Sequence, residues 1–81
     1  MYLSDRMIRR IREEYPRGTS VVVYAMGPDP DPLESGTRGT VELVDDIGTV
    51  HCVFENGRRL GLIVGEDDFS VDRSRDDRDE R

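Results

Sequence analysis

The chain has 81 residues, room for one domain with a small core and no second domain. Hydrophobic residues are 35% and charged residues 37%, and a single Cys52 with a single His51 excludes an internal disulfide and a four-ligand Cys/His zinc site. Net charge is −6 but unevenly spread: residues 1–18 carry five Arg against three acids and residues 19–72 three Arg against eleven, so the centre opposes a phosphate backbone.

Leu3, Met7, Ile8, Ile11 and Tyr15 fall on one helical stripe, which predicts an amphipathic helix over residues 4–15 with Ser4 as N-cap and Pro16 and Gly18 beyond its end. Arg6, Arg9, Arg10 and Arg12 occupy its other surface, and Arg17 follows. Thr19 to Met26 is rich in β-branched residues and reads as a first strand buried on much of both faces. Gly27 to Gly36 holds three prolines at alternate positions, so an extended, stiff acidic loop is expected there. Gly39–Asp45 reads as the second strand and Asp45–Gly48 as a turn. Thr49–Glu55 reads as the third strand, with Val50, Cys52 and Phe54 on one face. Asn56-Gly57 is the strongest hairpin signal and predicts a two-residue type I′ turn into a fourth strand, Arg58 to Val64. Gly65 to Asp68 is a further turn, after which Phe69 and Val71 add a short closing strand. Arg73 to Arg81 mixes charges without an apolar residue, which predicts a disordered tail.

Short strands at this spacing behind one helix predict a mainly β fold: a five-stranded SH3-like barrel over residues 19–72 in a single domain, 1–72. No apolar run approaches the ~20 residues that span a bilayer. Charges stand where a secretory segment would be apolar, so a cytoplasmic protein is expected.

Gly36-Thr-Arg-Gly-Thr-Val, Val44-Asp-Asp-Ile-Gly-Thr-Val, Phe54-Glu-Asn-Gly and Gly65-Glu-Asp-Asp-Phe occur in the order that resembles a family of short bacterial proteins, the DUF4314 type, with Glu14-Tyr-Pro-Arg-Gly-Thr as a further block. The likeness runs from the helix through Phe69. Members are commonly encoded among phage, plasmid and integrative-element genes, so the resemblance implies a mobile-element context. Two departures stand out: Phe54-Glu-Asn-Gly replaces the usual Trp-Asp-Asn-Gly, and the long loop is more acidic and proline-rich. The Gly-spaced strands are also similar to KOW motifs, a fold-level likeness only.

Adjacent strand residues point to opposite faces, so His51 and Cys52 cannot work as a dyad, and no enzymatic site, cofactor or metal is expected. Asp45, Asp46, Glu66, Asp67 and Asp68 would gather at one end if the two turns are neighbours, with Asp45 and Asp67 accepting backbone hydrogen bonds. These acids with Asp29, Asp31 and Glu34 are the candidate partner-binding residues. The same charge also serves plain solubility. The functional expectation is a protein-binding module, monomer or homodimer, whose acids imitate DNA and dock into the basic groove of a host nucleic-acid-handling complex, inhibiting a CRISPR-type defence effector. Two alternatives stay open. One is a self-associating scaffold joined through Met7, Ile8 and Ile11; the other is a KOW-like nucleic-acid binder using Arg6, Arg9, Arg10, Arg12 and Arg17.

Overall fold

The computed structural model describes residues 3–27 and 31–73, and the element order is α1 (Asp5–Glu14), β1 (Ser20–Ala25), β2 (Thr37–Val44), β3 (Thr49–Phe54), β4 (Arg59–Ile63) and β5 (Asp68–Val71). The expected tail lies outside the described residues from 74 onward. Ser4 caps α1 as its sequence position predicts, its hydroxyl accepting from the Met7 N–H at 3.2 Å. The helix ends where Tyr15 N–H still reaches the Ile11 carbonyl, one residue before Pro16.

All strand pairs are antiparallel, in the order β4-β3-β2-β1-β5. The expected closed barrel is not formed. β4 and β5 are the two edges, and among the described residues only an isolated bridge, Val64 to Asp67, lies between them. A tight turn joins these two strands, and four-residue β5 pairs along its length with β1.

One core serves the whole sheet. Val21 and Val23 from β1, Val41 from β2, Val50, Cys52 and Phe54 from β3 and Leu62 from β4 form one buried cluster, joined by Ile11 of the helix. Strands at opposite sides of a sheet reach one cluster only if the sheet curves. β2 provides the bend: it pairs with β1 through Thr37–Thr40 and with β3 through Gly39–Val44. Register slips between Val41 and Leu43, which inserts Glu42 as a β-bulge and reverses the side-chain parity beyond it. Leu43 therefore turns outward, 52% exposed, and Val44 packs on the core.

Several expectations change in detail. β1 is buried on one face only, since Val21 and Val23 are enclosed while Tyr24 is exposed. β2 begins two residues before the predicted Gly39. Of the extended loop, the described residues wrap onto the body: Leu33 is buried in the core and Gly36 N–H bonds the Val23 carbonyl at 2.6 Å. The β3–β4 turn is not type I′, because Asn56 lacks the positive φ that type requires. Phe54 N–H meets the Arg58 carbonyl and Gly57 N–H the Phe54 carbonyl, both at 2.8 Å, so the loop has three residues with Gly57 alone at positive φ (87°). The β2–β3 turn repeats this design with Gly48 (φ 89°).

Candidate binding surface

The β2–β3 and β4–β5 turns are neighbours because Thr49, just past the first, pairs with Ile63, just before the second. Each is held by a carboxylate at its base. Asp45 Oδ1 accepts from Ile47 N–H at 3.1 Å and Thr49 N–H at 2.9 Å, and its Oδ2 lies 2.8 Å from His51 Nε2. Burial acts to raise the Asp45 carboxyl, but the hydrogen bonds from His51, Thr49 and Ile47 outweigh it and hold the group below its ordinary value. Asp67 spans further: Oδ1 accepts from Gly27 N–H at 2.6 Å and Oδ2 from Ile63 N–H at 2.8 Å. It fastens the far end of β1 to the turn.

The eight predicted site acids do not form one patch. Asp45 and Asp67 are engaged in the turns. Asp46 and Glu66 stand exposed beside them, and Asp68 is exposed at the start of β5. Asp31 sits at the β3–β4 end, where the Arg58 Nη1 donates to its carbonyl at 2.9 Å and approaches its carboxylate at 3.5 Å. Glu34 is exposed on the same loop, and Asp29 lies outside the described residues. With β3 between them, the two ends are about 17 Å apart.

The predicted self-association stripe also divides. Ile8 and Ile11 are buried within this chain, and Met7 alone of the three is exposed, at 49%, so the chain itself covers the face that was expected to pair across a two-fold. Of the arginines, Arg6, Arg9 and Arg10 are exposed on the outer face of α1, whereas Arg12 reaches the β2–β3 turn. Its guanidinium donates to the carbonyls of Val44 (3.4 Å) and Asp45 (3.3 Å) and to Asp46 Oδ1 (3.3 Å), strapping the helix to the sheet. Arg17 lines a separate shallow groove with Arg38, whose Nε lies 3.4 Å from the buried Asp72 carboxylate.

A recess of about 470 Å³ opens between the turns and the start of α1. Ile47 (68% exposed), Ile63 (43%) and Val64 (42%) give it an apolar lining, together with Leu3 and the covered Ile8. Asp5, Asp46 and Glu66 stand around it. Sequence reasoning named the two turn acids and overlooked their apolar neighbours. The signal was present in Ile47, an apolar residue inside Asp-Asp-Ile-Gly turn chemistry.

Burial, and secondarily Glu42, push the Cys52 thiol up to about 12, so it stays protonated in the core with its Sγ directed at the Val50 carbonyl. Among the described residues no group of three His, Cys, Asp or Glu could hold a metal ion, and no helix is long and apolar enough to cross a membrane. Comparison with curated proteins and with solved structures finds no match. The family model described as "Domain of unknown function (DUF4314)" matches residues 4–71, from the helix cap to the last residue of β5. That span takes in every element of the fold, and the chain belongs to the DUF4314 family.

Proposed function

We propose that the chain is a non-enzymatic protein-binding module that engages a basic surface through its outward carboxylates. The observation that carries this reading is the placement of those acids: Asp31, Glu34, Asp46, Glu55, Glu66 and Asp68 are exposed on a small, internally tied body. Such a body meets a cationic partner with little ordering cost and with electrostatic steering. The inert Cys52 and the His51–Asp45 bond give nucleophilic chemistry no support.

In its specific form the partner is a cytoplasmic host complex that handles nucleic acid in a basic groove, the gene belongs to a mobile element, and docking inhibits a CRISPR-type effector by imitating DNA. The strand order β4-β3-β2-β1-β5 suits the meander of an SH3-like barrel left open between its first and last partners in the order. The exposed Arg6, Arg9 and Arg10 favour a second reading, nucleic-acid binding through the outer face of α1.

The test is affinity capture by the tagged chain at two salt concentrations, beside a variant carrying Asp46→Asn, Glu66→Gln and Asp68→Asn. The reading expects a nucleic-acid-handling complex that is released by high salt, displaced by duplex DNA and missed by the variant. Retention that ignores both salt and the substitutions overturns it. A salt-dependent mobility shift of free DNA or RNA would favour the second reading.

A further inference from the structure

We propose that the recess between the start of α1 and the β2–β3 and β4–β5 turns docks a cationic segment of a partner protein. One aliphatic side chain of that segment enters the recess, and flanking Arg or Lys residues meet Asp5, Asp46 and Glu66. The proposal rests on the protein-binding reading and names its surface and the class of segment.

Three β-branched residues, Ile47, Ile63 and Val64, are exposed together at one end of the sheet, where solvent alone would favour polar turn residues. The volume, about 470 Å³, falls among those of ordinary ligand sites, which run from about 300 to 1,000 Å³. Its ionisable lining is entirely acidic among the described residues. Asp5 and Glu66 are in no ion pair among those residues. Asp46 is paired with Arg12 on the surface, a contact weak enough to exchange for a partner's cation. The walls are preorganised by Asp45 and Asp67, so docking need not order the turns first.

Charge separates this occupant from a second copy of the chain. A second copy seated on this face across a two-fold would set Asp5, Asp46 and Glu66 of one chain against the same acids of the other, whereas a cationic segment meets them with opposite charge.

The test is a titration of the isotopically labelled full chain, followed by amide NMR, with capped Arg-Arg-Leu-Arg-Arg and with the same peptide carrying Gly in place of Leu. We expect saturable shifts at Gly48, Thr49, Gly65 and Glu66 with the Leu peptide. Affinity should fall about tenfold or more with the Gly peptide. Val64→Ser, at an exposed position, should keep the dispersed spectrum of the folded chain and lose the Leu preference, and Glu66→Gln should weaken both peptides. Equal affinity for the two peptides, with shifts spread over the exposed acids, overturns the recess while leaving the acidic module standing. No saturable shift with either peptide overturns both. Shifts at the same amides that grow with protein concentration alone would place a second copy in the recess and overturn the partner assignment.

Discussion

Gly39 faces the core opposite Phe54, and adding a single methyl there sets two physical effects against each other. A Cβ built on Gly39 stands 2.5 Å from Phe54 Cδ1, 2.8 Å from Cε1 and 3.0 Å from the Val53 carbonyl oxygen. The ring is a rigid, fully enclosed neighbour and the carbonyl is backbone, so neither can yield freely. Overpacking of this kind costs about 1–3 kcal/mol. Against it, Ala in a strand interior is favoured over Gly by about 0.5–1 kcal/mol through chain entropy. The balance for Gly39→Ala is a loss of about 1 kcal/mol, which for a domain of this size lowers Tm by about 4–8 °C. Paired thermal and urea unfolding of Gly39→Ala, Phe54→Leu and the double variant separates the terms. With the ring removed, the methyl has room, and its cost should vanish or reverse as a non-additive coupling. A Tm that rises in the single Gly39→Ala variant, or a cost that persists in the Phe54→Leu background, refutes the packing argument.

Asp45→Ala removes the acceptor of two backbone N–H groups and of His51, and should cost about 2 kcal/mol in urea unfolding. The folded-state pKa of Asp45 is lowered below its ordinary value of 3.8, so its contribution is complete above the unfolded pKa and disappears as pH falls through the folded one. Stability measured downward from pH 5 should accordingly decline less steeply in Asp45→Asn than in the parent; parallel curves would remove Asp45 from the acid response. For Cys52, whose pKa is about 12 in the core, alkylation by iodoacetamide at pH 8 should proceed only as fast as the chain unfolds. Rapid labelling of the folded chain would contradict the burial.

Period and punctuation made much of the fold legible. The helix was readable because Ser4, the Ile8/Ile11 spacing and Pro16 agree, and the inward set Val50, Cys52 and Phe54 followed from alternation alone. What alternation could not supply was Glu42. Counting by twos from Val41 places Leu43 inside and Val44 outside, and the bulge reverses both. A bulge is chosen by the curvature that the whole sheet needs, which no local window contains. Leu33 escaped for a similar reason, since its neighbours Pro32 and Glu34 read as loop and its burial depends on where the chain returns. Asn56-Gly57 fixes the place of the turn but not its type, because the dipeptide suits both the two-residue turn and the three-residue loop with Gly57 alone at positive φ. At the recess the acids were visible as charge, while the juxtaposition of Ile47 with Ile63 and Val64 required the pairing of β3 with β4.

The two turns beside the recess show why neighbouring acids of one chemistry have different roles. Asp45 and Asp67 occupy positions from which a carboxylate reaches backbone N–H groups two to four residues away, or across to Gly27, and these bonds define the shape of the end of the sheet. Asp46 and Glu66, each one residue removed, are exposed and accept from none of those backbone donors, and among the described residues Asp46 meets only Arg12 at the surface. Substituting the first pair would deform the walls, and any loss of binding would follow from a loss of stability. Substituting Glu66 removes charge from a surface whose geometry is held by others, and substituting Asp46 gives up only an exposed pair with Arg12, which still holds the Val44 and Asp45 carbonyls, so binding should change with little effect on unfolding. The two pairs therefore separate a structural effect from a recognition effect within a span of two turns.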